Sequence, residues 1–468
     1  MASLTYDDKV SLFCSIGSES GSISSEELRD QINSFLDSLG TREDVMLIPP
    51  DFTRFHSQAG KITQMICEYY NFIPSSGQSK STSFPKIEIL PALGTHAPMT
   101  REEIQKMYGA ELGKKDPSPF LVHDWRNDVI TIGQAPAEMV KAATHGMVDK
   151  PWPAQINKKV WEKRLHDPSK QAHKSLVISI GQVVPHEVMG MANFNKNLFV
   201  GTGGVEAINL SHFIGAVHGM ERMMGRKDNP LRDILNHASE KYLEHELDLW
   251  YILTVVSADP KTSQLCIRGL YIGRDIECYS AACDLSLKVN FTLLGNPVKR
   301  MVAYLDPDEF HSTWLGNKAI YRTRMAMADN GELIILAPGV ERFGEDHRVD
   351  QLIRKYGYKG TPLTMKYMEE NEELKENLSA VAHLIHGSSE GRFEITYCPG
   401  RLTREEIESA GFKYGDLVEM RKRYDTSKLK DGWNSDEEGE FYFISNPALG
   451  LWAVKSRFEE SSEKIPKS

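Results

Sequence analysis

The stretch Val45-Met46-Leu47-Ile48-Pro49-Pro50-Asp51-Phe52-Thr53-Arg54 decides how this chain is read. Four apolar residues in a row suit a strand covered on both faces, and the two prolines stop it. The polar loop Asp51–Arg54 follows, and then Ile62, Met65, Ile66 and Tyr69 recur at helical spacing. Upstream, Ser24 and Glu27 form a capping box for a helix reaching Leu39, whose apolar stripe is Leu28, Ile32, Phe35, Leu36 and Leu39. The plan recurs. Strand Ile87–Leu90 leads into Gly94-Thr95-His96-Ala97-Pro98-Met99 and a helix capped by Thr100 and Glu103, and strand Leu176–Ile180 leads into a loop carrying Pro185-His186. Such strand–loop–helix units predict an α/β fold with a mostly parallel sheet flanked by helices. Ligands in these folds collect beyond the carboxyl ends of the strands, where the polar loops lie.

Working outward, 468 residues exceed what one hydrophobic core usually supports, which predicts two domains. The reading assigns 1–285 to the N-terminal α/β domain and 286–440 to a smaller C-terminal α/β domain. It leaves 441–468 as a tail with the option of packing back on the first domain. In the second domain, Met301–Leu305 reads as a strand, Asp308 to about Met327 as a helix, and Asp329-Asn330-Gly331 as a turn before Glu332–Leu336. Gly77–Ser83 reads as a surface loop, the Lys-, Trp- and Pro-rich His145–Ser175 as a surface excursion, and the chain after Lys455 as frayed. A net charge of -10 and the lack of a basic stripe argue against a nucleic-acid or membrane-surface binder. No apolar run approaches spanning length, and Met1–Leu12 does not read as a signal peptide. Six cysteines without a CxxC pair fit a reducing cytoplasm.

Several residues are equipped for chemistry. Arg54 presents a planar fork suited to carboxylate or phosphate, and Asp51 and Thr53 stand beside it; an Asp–Arg loop brace is the plainer reading. His96 and His186, each in a loop after a strand, have the residue type that exchanges protons near neutral pH, or that simply satisfies a loop by hydrogen bonding. Lys196 follows His186 by ten residues and is a possible covalent attachment point when its amine is neutral. His212, sixteen residues further on, lies on a helix as a metal ligand or a packed residue. Gly201-Thr202-Gly203-Gly204 reads as a strand-to-helix turn that can cradle a phosphate, or as a tight turn alone. It matches neither a dinucleotide fingerprint nor a Walker loop.

Together, Asp51-x-Thr53-Arg54, Gly94-Thr95-His96-x-Pro98-Met99-Thr100, Pro185-His186, Lys196 and His212 resemble the nickel-pincer lactate racemase family and its relatives that invert other 2-hydroxy acids. The likeness extends more thinly to Lys318. It implies a pyridinium-3,5-bisthiocarboxylic acid mononucleotide that holds nickel as an S–C–S pincer and is joined to a lysine as a thioamide. By position Lys196 is the tether and His212 the nickel ligand, with Asp51, Thr53, Gly201, Thr202, Gly203 and Gly204 as candidate nucleotide contacts. The resemblance makes His96 and His186 the proton-transfer pair and gives Arg54 and Lys318 the carboxylate or the charged oxygen. Two departures matter. The family's glycine-rich stretch before the lysine is Asn193-Phe194-Asn195 here, and its tyrosine and glutamine ahead of Lys318 are Trp314 and Leu315. The altered pocket points away from lactate and toward another 2-hydroxy acid, such as an aldonic sugar acid of the gluconate or mannonate type.

The expectation is therefore a cytoplasmic isomerase, a racemase or epimerase acting on C2 of a 2-hydroxy acid. Its partners are that small molecule and the enzymes that make the cofactor, with no nucleic acid and no membrane; its oligomeric state is open. Alternatives are lactate racemase proper and a non-catalytic nickel-cofactor-binding protein. A zinc hydrolase using His96, His186 and His212 lacks the expected His-x-x-x-His pair, and an NAD-dependent dehydrogenase lacks its fingerprint.

Overall fold

A computed structural model describes residues 11–74, 81, 84–165, 174–259, 262 and 264–463. The expected loop Gly77–Ser83 falls mostly outside these residues. The fold is α/β, with two six-stranded sheets among the described residues.

The first sheet runs, edge to edge, Leu12–Gly17, Leu265–Gly273, Leu249–Ala258, Ser175–Gln182, Asp44–Ile48 and Lys86–Ile89. The last four strands are parallel, while the first two pairings are antiparallel. Within Asp44–Ile48 the side chains alternate between faces. Val45 and Leu47 join Leu28, Ile32, Phe35, Ile62 and Ile66 on one side, whereas Met46 and Ile48 meet Leu210, Ile214 and Leu235 on the other. Both faces are covered, which explains the unbroken apolar run. The capping boxes Ser24/Glu27 and Thr100/Glu103 form reciprocally and open the helices Ser25–Leu39 and Arg101–Tyr108.

The second sheet runs Lys413–Tyr414, Glu394–Pro399, Met327–Ala337, Val298–Tyr304, Gly439–Ile444 and Gly432–Asp436, parallel except for its last pair. Asp329-Asn330-Gly331 is an irregularity inside the strand Met327–Ala337, with Asn330 left-handed at φ 59.

Four expectations need correction. Leu198–Val200 belongs to a single π-turn, Asn197–Gly201, and not to a strand, because Asn197 Nδ2 donates to Ile48 O and Ser179 Oγ (3.0 Å each) and Thr202 turns back to Leu198 O. The helix expected from Asp308 to Met327 is two short helices, Thr313–Gly316 and Lys318–Thr323, the first capped by Ser312. The segment after His145 is no surface excursion throughout. Trp152–Asn157 is a buried strand paired with Val129–Ala135, and the fully buried Trp152 donates to Ser211 Oγ at 3.0 Å. Finally, Lys455–Glu463 is helical, with Arg226 lying 3.6 Å over the Phe458 ring. Among the described residues no helix is long and apolar enough to cross a membrane, and all six cysteines are free.

Candidate active site

Three neighbouring parallel strands place the site. Chain order reverses between Asp44–Ile48 and Ser175–Gln182, and the loops leaving Ile48, Ile89 and Gln182 carry Asp51 to Arg54, His96 and His186. A crevice at such a switch point accepts ligands because the strand ends diverge there. The resulting cavity, about 120 Å³, is lined by Asp51, Thr53, Arg54, His96, His186, Lys196, Gly201 and His212, and from the second half by Trp314, Leu315 and Lys318. A second cavity of about 300 Å³ shares Asp51, Thr53, His96 and Leu315 with it.

Asp51 organises the entrance. Its Oδ2 accepts from His96 Nδ1 at 2.7 Å and its Oδ1 from Thr53 Oγ1 at 2.7 Å. Burial pushes this carboxyl up, but the charge and hydrogen bond of His96, the Thr53 hydroxyl and the Lys318 charge outweigh it, so its pKa falls below the ordinary value. A carboxylate can only accept, so the His96 proton sits on Nδ1 and Nε2 keeps a free lone pair.

Three cations converge with no hydrogen-bond or ion-pair partner among the described residues: Arg54, Lys196 and Lys318. Burial and then the Arg54 charge bring Lys196 down to about 8 and Lys318 likewise to about 8. The carboxylates Asp51 and Glu187 line the same cavity without pairing to these cations, which leaves the cations' N–H donors available to an anionic ligand. Lys318 is only 4% exposed, and its ammonium lies 5.4 Å over Phe310.

His212 lies on the helix Val205–His218, its Nδ1 bonded to Ile208 O at 2.8 Å. A carbonyl only accepts, so here too Nε2 is free for a metal. Burial lowers the His212 pKa to about 4, which leaves the ring neutral, as ligation requires. No three His, Cys, Asp or Glu side chains among the described residues gather to hold a metal. His96, His186 and His212 do not form such a group.

The backbone before Lys196 resolves one departure. Asn193 and Phe194 both take positive φ, 66 and 61, a region that glycine enters freely and Phe rarely does. The tertiary structure enforces it. Phe194 stacks on Tyr279 at 5.1 Å and meets Tyr251 at 4.4 Å, while Arg232 holds Asn195 Oδ1 and Met191 O. The left-handed path at Asn193 and Phe194 is thus kept by packing.

The glycine turn departs further from expectation. Only Gly201 of the four lines the cavity. Thr202 Oγ1 is spent on Leu198 O, a Cβ on Gly203 would lie 1.8 Å from Phe199 O, and one on Gly204 would meet Gln155. At the helix start, the Val205 amide donates to Trp125 O and the Ala207 amide to Gln155 Oε1. The turn is closed by packing, which takes up these anion-binding amides.

Sequence reasoning missed Glu187, a cavity-lining carboxylate with Oε1 3.8 Å from His186 Nε2 and Oε2 3.8 Å from Arg322. Its signal was an acid directly after Pro185-His186 in an otherwise apolar stretch. His383 was also missed. Its ring lies 4.3 Å from that of Trp314, tilted by 32°, and is fixed by the Tyr321 and Tyr358 hydroxyls. The larger cavity of about 680 Å³ lies elsewhere, beside His218. Along its wall Arg324, Glu221, Arg392, Asp329 and Arg457 pair in a chain.

Fold and site together define a two-domain α/β protein whose cleft joins an aspartate-held histidine to unpaired cations at the switch point of a parallel sheet. Residues 20–225 match the family model described as the lactate racemase N-terminal domain. The chain is a relative of the lactate racemase family, and this region is the part that carries the match. The fold is similar to the crystal structure of a Thermotoga maritima protein, with 22% identity and a TM-score of 0.77 over 93% of this chain and 100% of that one. It is also similar to the lactate racemase apoprotein from Thermoanaerobacterium thermosaccharolyticum, with 15% identity and a TM-score of 0.63 over 96% of this chain and 97% of that one. No curated protein matches the chain significantly.

Proposed function

We propose that this protein is an isomerase that inverts C2 of a 2-hydroxy acid. The observation that carries the reading is the Asp51–His96 pair facing a cavity with three unpartnered cations. Arg54 and Lys318 bind the substrate carboxylate, Arg54 through its planar fork. His96 Nε2 takes the hydroxyl proton, and Asp51 stabilises the imidazolium that forms. His186 faces the same cavity and acts on a substrate oxygen.

The donor set fits the nickel-pincer nucleotide of the family. Lys196 supplies an unpartnered amine brought down to about 8, and His212 supplies a neutral ring with Nε2 free. Held there by Lys196 and His212, such a group would supply a hydride acceptor for C2. The inner cavity of about 120 Å³ is smaller than the roughly 300 Å³ at which ligand pockets begin. The neighbouring cavity of about 300 Å³ adjoins it across His96.

Trp314 and Leu315 line the pocket with apolar surface, and this favours a substrate other than lactate, with aldonic acids the class to test first. Lactate racemase proper and a non-catalytic cofactor-binding protein are the competing outcomes. We place the activity in the cytoplasm, with the cofactor-making enzymes as partners. The test is co-expression with those enzymes, followed by intact-mass and nickel analysis and a panel of 2-hydroxy acids in deuterated water. Expected are an adduct on Lys196, bound nickel, and inversion with little deuterium at C2. An adduct elsewhere, or C2 deuteration, overturns the proposal; a loaded but inert protein favours the binding role.

A further inference from the structure

The cavity that adjoins the site across His96 carries charge of the opposite sign to Arg54, Lys196 and Lys318. Two neighbouring parallel strands of the second sheet, Val298–Tyr304 and Met327–Ala337, send their loops here. Those loops bring Asp308, Glu309, Glu341 and Glu345 to a space of about 300 Å³. Glu103 joins them from the first half, and Arg342 is the one guanidinium on this wall. Glu309 is buried, and its Oε2 is engaged by His56 Nε2 at 3.2 Å and Asn446 Nδ2 at 3.1 Å. Its Oε1 has no hydrogen-bond partner among the described residues. The charge of Glu309 is therefore only partly compensated, at a wall the chamber shares.

We infer that the far end of the substrate lies in this chamber as an uncharged chain bearing hydroxyl groups, and that Glu309, Glu341 and Glu345 refuse a second carboxylate or a phosphate there. The inference rests on the 2-hydroxy acid reading above and narrows its substrate class. Asp51, Thr53, His96 and Leu315 line both cavities, whereas Arg54, Lys196 and Lys318 line only the inner one. A substrate with its carboxylate on Arg54 and Lys318 and its 2-hydroxyl at His96 has its remaining carbons at the shared wall. The space beside Trp314, about 10 Å³, holds at most one water and offers the chain no other course.

Charge decides what that chain can be. An ionised carboxylate only accepts hydrogen bonds, so hydroxyl groups match it, while a second carboxylate brings neither a donor nor a compensating charge. Glu309 and Glu345 are the poorly screened pair, with side chains 7% and 9% exposed. Glu345 accepts from the Ser312 hydroxyl and lies 3.7 Å from Arg342. The other cations stand in solvent, Lys106 at 2.8 Å from Asp308 and Arg401 at 2.6 Å from Glu341, where salt weakens them. A bare alkyl chain would strip water from the carboxylates and return no hydrogen bond. Head and tail of the substrate thus meet opposite signs. A dianion is refused by an unpaired like charge and not by lack of room.

The test is a set of dissociation constants, measured by calorimetry on the full-length protein with and without the cofactor. Gluconate, glucarate and 2-hydroxyhexanoate share one chain length and differ in the second carboxylate or in the hydroxyl groups, and lactate lacks the tail. Gluconate should bind about tenfold or more tighter than either of its two analogues. Glu309→Gln should narrow the gap between gluconate and glucarate by about fivefold, and Glu341→Gln, at a more exposed position, by about twofold. Lactate should stay within about twofold in both variants, a result that a merely structural loss would not give. Glucarate or 2-hydroxyhexanoate binding as tightly as gluconate would overturn the inference, as would a gap unchanged in both variants. Tighter binding of 6-amino-2-hydroxyhexanoate than of gluconate would replace the hydroxylated tail with a cationic one and also overturn it. If the acids bind in the expected order but the loaded enzyme inverts none of them, the proposed function fails and the selectivity of the chamber stands. No binding of any acid overturns both.

Discussion

With the Lys196 ammonium held at about 8 by burial and the Arg54 charge, roughly a quarter of its amines are neutral at about pH 7.5. For a lysine at the ordinary value of about 10.5 the fraction is about one in a thousand. An uncharged acylating reagent such as acetic anhydride reacts only with the neutral amine. Labelling rates measured across pH, read by mass spectrometry on the Lys196 peptide, should therefore bend near pH 8, well below the roughly 10.5 of a free lysine side chain. The midpoint does not depend on how fast the reagent enters, so partial burial does not blur it. Arg54→Met removes the second-largest cause and should move the midpoint upward, though still below about 10.5, because burial is the larger cause. The same shift is a stability statement. A folded pKa lowered from about 10.5 to about 8 means that the unfolded chain binds more protons between those values, so stability should rise with pH across that window, by about 3 kcal/mol in total for one such group. Lys196→Met should flatten that rise, measured by urea unfolding at several pH values. A Lys196 midpoint near 10.5, or one indifferent to Arg54→Met, would refute the argument that burial and charge activate this amine.

Three further outcomes are expected. Gly203→Ala forces a Cβ to within 1.8 Å of Phe199 O and should destabilise by more than about 3 kcal/mol in denaturant unfolding; a neutral effect would refute the close packing of the glycine turn. Phe194→Gly relieves left-handed strain of about 1–2 kcal/mol but removes a buried ring worth about 3–5, so a net loss of about 2 kcal/mol is expected by thermal unfolding; a gain would show that the stacking on Tyr279 carries little. The pair Trp314→Tyr with Leu315→Gln should move the ratio of kcat/KM toward lactate by about tenfold or more relative to a longer 2-hydroxy acid. An unchanged ratio would remove these two residues from substrate selection.

Local rules made much of this protein legible. The apolar run Val45–Ile48 with its stopping prolines, the two capping boxes and the order of the polar loops depend on neighbours a few residues apart, and the family resemblance named Arg54, His96, His186, Lys196 and His212 before any contact was known. Sequence failed where distant chain supplies the partner. Leu198–Val200 looks like a strand until Asn197 is tied to Ile48 and Ser179. Asn193-Phe194 looks unlike a glycine stretch until Tyr251 and Tyr279 hold it in the left-handed region. Gly203 and Gly204 look ready for phosphate until Phe199 and Gln155 fill the space. Protonation shows the division most clearly. The residue type made both His96 and His186 candidates for proton transfer, but the Asp51 carboxylate on one and the Val188 and Met189 amides on the other set which nitrogen of each ring carries the hydrogen. Those partners meet only because parallel strands bring their loops together, and that is a property of the tertiary structure alone.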